Sequence, residues 1–310
     1  MNNDAKILIV GHDIIEKSLY GYFKKQGFKN IYSLSQDKVD VLDQTAVRRF
    51  FAAHRPEYVF LSSVRSGGIE ANQKFAAEFI YSNLECQNNI IHASHQFGAK
   101  KLLYFSGSCA YPKKSPQPIK EEYLLNGPLE ETSRPYSIAK IAGIQMCQSY
   151  RKQYGFNAIA AVPATVYGPE SDTHIETAHV IGALIGKFCE AKSRNLKEVV
   201  VWGTGRPRRE FLFVDDFIEA SLFLMERYAE AALINIGCGY DITIKELAFL
   251  IKAASDFKGK IVFDKTKPDG TMAKLMDHTK IRKLGWKPRV NLAQGIKRTY
   301  EWYEKKRGKK

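Results

Sequence analysis

The amino-acid sequence predicts an α/β fold in which a doubly wound parallel sheet precedes a smaller C-terminal lobe. In the first half of the chain, short apolar runs alternate with longer stretches of helical pattern. The apolar runs are almost continuous, as is typical of parallel strands that are covered on both faces. After about residue 163 the predicted elements become shorter and contain more glycine, proline and basic residues. The 310 residues are enough for about two domains of ordinary size.

Apolar runs place the strands of the first half, and helical periodicity places the helices between them. We expect strands at residues 6–10, 30–34, 58–61, 101–105 and 158–162, and helices at 15–26, 45–54, 74–97 and 136–154. Gly27 ends the first helix, as glycine commonly does. Sheets of this kind bind ligands at the carboxyl ends of their strands, so the predicted ligand site lies at that edge.

The second half contains the same kinds of signal over shorter distances. We expect helices at 179–191, 215–228 and 244–255, strands at 199–202, 210–214, 233–236 and 260–263, and a loop at 203–207. The sequence therefore predicts a domain of doubly wound, nucleotide-binding type over residues 1–163. Residues 164–310 are predicted to form mainly a smaller substrate lobe, and the chain is free to cross between the two.

The composition is that of an ordinary soluble globular protein, with 45% apolar and 26% charged residues. No apolar run approaches the roughly 18 residues of a membrane helix, and the first apolar run is too short for a signal peptide. The five cysteines are odd in number and widely spaced, which argues against a disulfide framework or a zinc ribbon. We therefore expect a cytoplasmic protein that has no metal site.

The formal net charge of +14 leaves the class of partner open. Five of the last six residues are basic, and we expect this tail to be solvated and frayed. Nucleic acid is an unlikely partner because no RNP motif, zinc-finger spacing or helix-turn-helix pattern is present. The remaining basic residues are spread along the chain, which suits an anionic small molecule equally well.

A tyrosine and a lysine stand four residues apart, at Tyr136 and Lys140, in a predicted helix. This spacing places both side chains on one face of the helix. A neighbouring cation stabilises a phenolate and lowers the pKa of the phenol, which makes tyrosine a usable acid or base near neutrality. Tyr20 and Lys24 have the same spacing, so the spacing alone is weak. The position of Tyr136 directly after Pro135, before the strand at 158–162, favours the pair of Tyr136 and Lys140.

Several runs with matching spacing resemble the GDP-L-fucose synthases, a family of extended short-chain dehydrogenases/reductases. The runs are 108–112 (SCAYP), 135–143 (PYSIAKIAG), 167–169 (YGP), 179–181 (HVI), 200–203 (VVWG), 209–212 (REFL), 214–216 (VDD) and 267–271 (KPDGT). The resemblance covers the chain from about residue 59 to 302. It implies a GDP-4-keto-6-deoxymannose 3,5-epimerase/4-reductase that uses NADP(H) and forms a homodimer through two long helices. By the same resemblance, residues 1–163 form a Rossmann dinucleotide-binding type of domain and residues 164–310 mainly a nucleotide-sugar-binding lobe.

The resemblance also implies roles for individual residues. Cys109 and His179 are the expected base and acid, Tyr136 the donor at the sugar O4, and Lys140 the residue that holds the nicotinamide ribose. Ser108 is added to this catalytic set. The expected cofactor-binding residues are Gly11, Ile14, Lys17, Lys140, Pro163, Val166 and His179. The GDP-linked sugar is expected to contact Lys187, Trp202, Arg209, Asp269 and Lys274, because two phosphates and a base need cations and a flat surface.

Structural readings of the same residues remain open at this stage. Cys109 is also compatible with a small buried hydrophobic role, and Trp202 with a place in the core. His179 is also compatible with a structural or solvated role, and Arg209 with a surface charge.

The glycine-rich loop after the first strand departs from the family pattern. Only Gly11 remains of three glycines, because Ile14 and Lys17 occupy the other two positions. A branched side chain there obstructs the approach of a pyrophosphate. Asp13 replaces a basic residue, and Glu16 adds a second negative charge near the helix N-terminus. We therefore expect weakened NADP(H) binding, partly offset by Lys17.

A second departure lies two residues before Cys109, where extended members have serine or threonine and this chain has Gly107. Strand alternation points Ser106 and Ser108 the other way, so Ser108 substitutes only if the strand end is irregular. Three interpretations follow: an epimerase/reductase, an epimerase with impaired cofactor use, and a catalytically weak scaffold subunit.

Overall fold

A computed structural model describes residues 1–12, 14–174 and 177–307. The strands are β1 (Lys6–Val10), β2 (Asn30–Ser33), β3 (Tyr58–Leu61), β4 (Lys101–Phe105), β5 (Ala158–Pro163), β6 (Thr165–Tyr167), β7 (Glu198–Trp202), β8 (Arg208–Arg209), β9 (Phe211–Phe213), β10 (Ile234–Ile236), β11 (Ile242–Thr243), β12 (Lys260–Asp264) and β13 (Ala273–Lys274). The helices are α1 (Ile14–Lys25), α2 (Gln44–His54), α3 (Ile69–Lys74), α4 (Ala76–Gln96), α5 (Arg134–Tyr154), α6 (Val180–Ser193), α7 (Val214–Arg227), α8 (Ile244–Ser255), α9 (Thr279–Lys283) and α10 (Leu292–Arg307).

The central sheet has six strands in the order β10-β5-β4-β3-β1-β2. Every pair in it is parallel. Its strands are almost wholly buried, as Leu8, Phe60 and Leu103 illustrate with 0% exposure each. The helices cover both faces, with α4 packed against α5. The predicted doubly wound parallel sheet is therefore confirmed.

The sixth strand, β10, comes from the second half of the chain and pairs with β5. Between these two strands the chain forms β6 to β9 and the helices α6 and α7. The ammonium group of Lys101, at the start of β4, donates to the carbonyls of Leu224, Met225 and Tyr228 at distances of 2.6–2.8 Å. This buried cation contacts carbonyls of the last turn of α7, where a positive charge is stabilised by the helix C-terminus.

The long helix that the sequence predicts at 74–97 is wrong in its first turn, because the chain forms two helices that meet at Phe75. Phe75 has φ −117° and ψ 34°, outside helical values, and it separates α3 from α4. The start of α3 is fixed by Asn72, whose amide donates to the carbonyls of Gly67 and Gly68. This anchoring sets α3 apart from α4, and helical periodicity does not reveal such a bond.

The basic tail that the sequence predicts to be frayed is helical as far as Arg307, so that prediction is wrong for residues 305–307. Ile296 and Tyr300 bury one face of α10, and Lys306 pairs with Glu170 at 3.7 Å. Residues 308–310 lie outside the described part of the chain.

The second half of the chain forms three small sheets with the orders β11-β8-β13, β12-β7 and β6-β9. They lie beside the carboxyl edge of the central sheet and supply its neighbouring loops. None of the described helices combines the length and the apolar character that crossing a bilayer requires.

Candidate active site

A cavity of about 400 Å³ opens at the carboxyl edge of the central sheet. Its walls come from the ends of β3, β4 and β5, from the first turns of α5 and α6, and from the loops of the small sheets. The predicted residues that line it are Ile14, Ser108, Cys109, Tyr136, Pro163, Val166, His179, Lys187, Trp202, Arg209, Asp269 and Lys274. Most of the predicted site is thus brought together. Gly11, Lys17 and Lys140 are not among the lining residues.

Tyr136 and Lys140 lie on the first turns of α5, whose second residue is Pro135, and proline is favoured at the start of a helix. The Tyr136 hydroxyl is 2.7 Å from the hydroxyl of Ser63. Lys140 is 1% exposed, and its Nζ lies 4.3 Å from the centre of the Tyr104 ring. The lysine therefore lies behind the tyrosine, inside the protein, as a buried cation.

Cys109 lies in a short 3-10 helix over Ser108–Ala110 that begins three residues after the end of β4. Because the strand stops at Phe105, the alternation that would turn Ser108 away from the ligand does not extend to it. Ser108 therefore lines the cavity together with the half-buried Cys109. Gly107 is extended, with φ −151°, and a Cβ there would lie 3.5 Å from the Cys109 sulfur.

His179 stands directly before α6 in extended conformation, with φ −66° and ψ 161°. It contributes to the same cavity as Cys109 and Tyr136. Two groups able to transfer protons and one phenolic donor therefore face a common space.

The cations of the predicted substrate site come from three elements: Lys187 on α6, Arg209 on β8 and Lys274 on β13. Burial lowers the pKa of all three side chains. Glu130 and Asp269 oppose this effect at Arg209, and the thiol of Cys109 opposes it at Lys274. Half-buried cations of this kind favour an anionic ligand, since a phosphate restores the electrostatic stabilisation that water no longer fully supplies.

Trp202 is 38% exposed and lies between two lysines. The Nζ atoms of Lys187 and Lys267 are 5.3 Å and 4.8 Å from its ring centre. Lys187 is held there because it also donates to the carbonyl of Val200 at 2.9 Å. Trp202 thus presents a flat surface beside cations at the cavity wall rather than forming part of the core.

Asp269 lines the cavity, but its carboxylate is occupied by the loop that follows β7. Its two oxygens accept hydrogen bonds from the backbone and hydroxyl of Thr204, both at 2.7 Å. Gly203, with φ +81°, allows this approach, because a Cβ there would lie 2.2 Å from the Asp269 carboxylate. Asp269 therefore shapes the substrate-side wall in addition to facing it.

The end of the cleft near β1 differs from the substrate side, because the ionised group buried there is a carboxylate instead of a cation. Ile14 begins α1 and is buried, whereas Lys17 is exposed to solvent. Glu16 is only 3% exposed, and its carboxylate accepts hydrogen bonds from Ser33 and Ser35 at the end of β2. Gly11 is required where it stands, since a Cβ would lie 2.3 Å from the Ser62 hydroxyl. Asp13 lies outside the described residues.

The residues in the middle of the cleft fit the nicotinamide half of a dinucleotide. Ile15, Pro163 and Val166 provide an apolar wall for a flat ring, and the Tyr136 hydroxyl stands at its edge. At the adenosine end the described contacts are those of a carboxylate with two serines. A carboxylate at the end of the second strand suits the hydroxyls of a ribose.

Sequence reasoning missed three polar residues of this site: Ser63, Glu130 and Thr271. Glu130 accepts from Thr271 at 3.2 Å and pairs with Lys113 at 3.2 Å, and both Glu130 and Thr271 line the cavity. Ser63 had a usable signal, because hydroxyl residues directly after a buried strand lie at the ligand edge of a parallel sheet.

Comparison with known proteins places this geometry in a family. Residues 11–237 match the NAD dependent epimerase/dehydratase family. The chain is 47% identical over 304 residues to "Putative GDP-L-fucose synthase 2" of Arabidopsis thaliana, covering 98% of this chain and 93% of that protein. It is 42% identical to the GDP-L-fucose synthase of Escherichia coli (strain K12), covering 96% of each.

Among solved structures, the chain resembles MlghC, a GDP-mannoheptose C4 reductase from Campylobacter jejuni with NADP bound. The TM-score is 0.88 at 39% identity, and the match covers 98% of this chain and 99% of that one. From the family match and the close relatives, we conclude that the chain belongs to the NAD dependent epimerase/dehydratase family, in the branch that contains the GDP-L-fucose synthases.

Proposed function

We propose that this protein is a GDP-4-keto-6-deoxyhexose 3,5-epimerase/4-reductase that uses NADP(H). The observation that supports this most directly is the shared cavity, in which Cys109, Tyr136 and His179 meet the cations Lys187, Arg209 and Lys274. Relatives that are 42–47% identical over nearly the whole chain are named GDP-L-fucose synthases.

The nucleotide part of the substrate is held by the cationic wall. Arg209 offers a planar fork of donors for the diphosphate, and Lys187 and Lys274 add point charges. The exposed face of Trp202 supports an aromatic base or the sugar. This arrangement leaves the sugar ring directed towards Cys109, Tyr136 and the sheet edge.

Epimerisation at C3 and C5 of a 4-keto sugar needs a base, an acid and a donor to the carbonyl oxygen. The protons on these carbons are acidic because each carbanion delocalises into the C4 carbonyl. Cys109 and His179 remove a proton from one face and return one to the other, and Tyr136 donates to the enolate oxygen as negative charge develops there. Each exchange leaves the redox state of the sugar unchanged.

Reduction at C4 needs a hydride, which NADPH supplies when bound. Pro163 and Val166 form the wall beside the nicotinamide position, and Tyr136 delivers the proton to O4. Lys140, buried behind Tyr136, keeps a positive charge near the phenol and so favours its ionised form after the proton has left.

The adenosine end sets how well this cofactor binds. We infer that the buried carboxylate of Glu16, together with Ile14 in place of a loop glycine, weakens the binding of the 2′-phosphate of NADP(H). An epimerase with impaired reduction and a catalytically weak scaffold subunit are the alternative outcomes of the experiment below.

Three further features belong to the proposal. A homodimer through α4 and α5 is supported by the large apolar side chains they leave exposed, Tyr81 at 59% and Ile138 at 43%. A cytoplasmic location is supported by the five free cysteines. The division into residues 1–163 and 164–310 is kept, with β10 returning to the first part.

The test is incubation of GDP-4-keto-6-deoxymannose in deuterated water, with and without NADPH. We expect deuterium at C3 and C5 without NADPH and a reduced 6-deoxy sugar when NADPH is present. Exchange without reduction identifies an epimerase that has lost its reductase activity. The absence of both reactions contradicts the proposed function, and tight GDP binding in that case indicates a scaffold.

A further inference from the structure

Ser63 places a hydroxyl group directly on the phenol of Tyr136. It follows β3 by two residues, is 6% exposed and lines the cavity. Its Oγ lies 2.7 Å from the Tyr136 oxygen, which is the ordinary length of a strong hydrogen bond between hydroxyls. The bond joins residues 73 positions apart in the sequence, so the tertiary fold has brought to this oxygen a hydroxyl group that can donate or accept.

The end of the neighbouring strand, β4, is followed by a glycine near the position that corresponds to Ser63. β4 lies next to β3 in the sheet, and Gly107 beyond its end has no side chain to offer. Ser106 is directed elsewhere, because its hydroxyl lies 3.5 Å from the carbonyl of Lys140. The end of β3 therefore supplies a hydroxyl that hydrogen-bonds to Tyr136.

We propose that Ser63 is a positioning residue that holds the Tyr136 hydroxyl towards the substrate and donates to its oxygen as the proton leaves. Once Tyr136 has released its proton, its oxygen can only accept, so Ser63 must be the donor in that state. A hydrogen bond to the charged form favours ionisation. This inference rests on the proposed function insofar as it assigns Tyr136 the role of proton donor.

Other ionisable groups lie close to the phenol or line the same cavity. Lys140 lies one turn further along α5, with its Nζ 4.3 Å from the centre of the Tyr104 ring on β4. Glu70, Glu130 and His179 line the same cavity. Removing Ser63 leaves all of these in place, so the change isolates the effect of one hydrogen bond.

The experiment compares Ser63→Ala with Ser62→Ala, the adjacent serine on the same strand end. The Ser62 hydroxyl is buried, and no hydrogen-bond partner for it is found among the described residues. We expect Ser63→Ala to lower kcat by about 10- to 100-fold with KM for the sugar nucleotide changed less than about threefold. Ser62→Ala is expected to retain kcat, and both variants to retain Tm and the Kd for GDP.

The pH profile separates positioning from a general structural loss. Tyr136 acts while protonated, so activity falls as pH rises through its pKa. Loss of the Ser63 donor raises that pKa, and the basic limb of kcat moves to higher pH in Ser63→Ala only. An unchanged basic limb, or equal losses in the two alanine variants, overturns the proposal.

A titration without turnover keeps this result separate from the proposed function. Protein with ¹³C-labelled tyrosine is titrated by NMR, and the Tyr136 signal is assigned from Tyr136→Phe. A higher pKa for this signal in Ser63→Ala supports the proposal even if wild-type protein neither exchanges nor reduces the sugar. An identical pKa in wild type and Ser63→Ala overturns the proposal whatever the activity.

Discussion

The two ends of the cleft each bury a carboxylate, but in opposite surroundings. At the substrate end, Glu130 lies beside Lys113 and Thr271 and near the guanidinium of Arg209. At the other end, Glu16 lies beside the hydroxyls of Ser33 and Ser35. The substrate end keeps an excess of positive charge for a diphosphate, whereas the adenosine end buries a negative charge. The comparison teaches that a net charge of +14 does not describe the electrostatics of any one site.

The largest effect is expected when Cys109, which lies between the two ends of the cleft, is replaced. Cys109→Ser replaces a thiol by a much weaker base, and deuterium exchange at C3 and C5 should fall by about 100-fold or more. NMR of the sugar after incubation in deuterated water measures this. Cys238→Ser is the matched control, because Cys238 is the other half-buried thiol and burial raises its pKa. Comparable exchange rates in the two serine variants would remove Cys109 from the mechanism.

The affinity of the substrate end for GDP should depend most on the guanidinium of Arg209. Arg209→Met removes charge-assisted hydrogen bonds to the diphosphate, and the Kd for GDP should rise by about 10- to 100-fold. Arg208→Met is the control, since Arg208 is exposed and paired with Asp241 at 2.8 Å. Calorimetric titration with GDP and with NADPH compares the two ends directly. A loss of NADPH affinity equal to that of GDP would refute the separation of the two ends.

The affinity of the adenosine end for NADPH should rise when the negative charge of Glu16 is removed. Glu16→Gln keeps the shape of the side chain, and NADPH should bind about 3- to 10-fold more tightly, with little change for NADH. The selective gain is expected because only NADPH has the 2′-phosphate. Glu57→Gln, at the opposite edge of the sheet, is the control. Equal effects on the two cofactors would show that Glu16 does not face the 2′-phosphate.

The smallest expected effect is on the free energy of unfolding, when the buried carboxylate Glu130 at the substrate end is replaced. Burial opposes ionisation of Glu130, but Lys113 together with hydrogen bonds from the backbone of Thr132 and the hydroxyl of Thr271 holds the pKa of the carboxyl below its ordinary value. Glu130→Gln should lower the free energy of unfolding by about 1 kcal/mol at pH 7. Because the folded pKa is depressed, this stabilisation is present above the unfolded pKa of about 4.3 and is lost as pH falls through the folded pKa. Urea unfolding at pH 7 and at pH 3 measures it, and a difference that persists at pH 3 would contradict the ion pair as its source.

Local pattern was sufficient for most of the fold. The strands at 58–61 and 101–105 and the helix at 244–255 have the bounds that the sequence predicts. Periodicity failed at Phe75 and in the tail, because it does not register side-chain hydrogen bonds to the backbone or packing against the rest of the fold. Asn72 anchors α3 through the backbone of Gly67 and Gly68, and the buried Ile296 and Tyr300 pack the preceding turns of α10 against the core.

Site residues could be predicted where the residue types and their spacing in the sequence indicate a reaction directly. Tyr136 and Lys140 are the example, because a lysine one helical turn from a tyrosine can stabilise its phenolate. Ser63 and Glu130 were missed because their roles depend on partners 73 and 141 residues away along the chain. The irregular turn at Ser108–Ala110 was likewise invisible to an argument based on strand alternation. The cofactor-binding role of Lys17 is untested and stays a prediction, although its side chain lies in solvent.

The placement of β10 also determines when this protein can finish folding during its synthesis. When the ribosome has made residues 1–163, five strands of the sheet exist and β5 presents an unpaired edge. That edge stays open until residues 234–236 emerge, several seconds later at about 5–20 residues per second. The carbonyls that Lys101 must reach are also made in this interval. The nascent chain therefore passes through a stage in which an exposed strand edge is available for non-native pairing, and protection by chaperones matters most there.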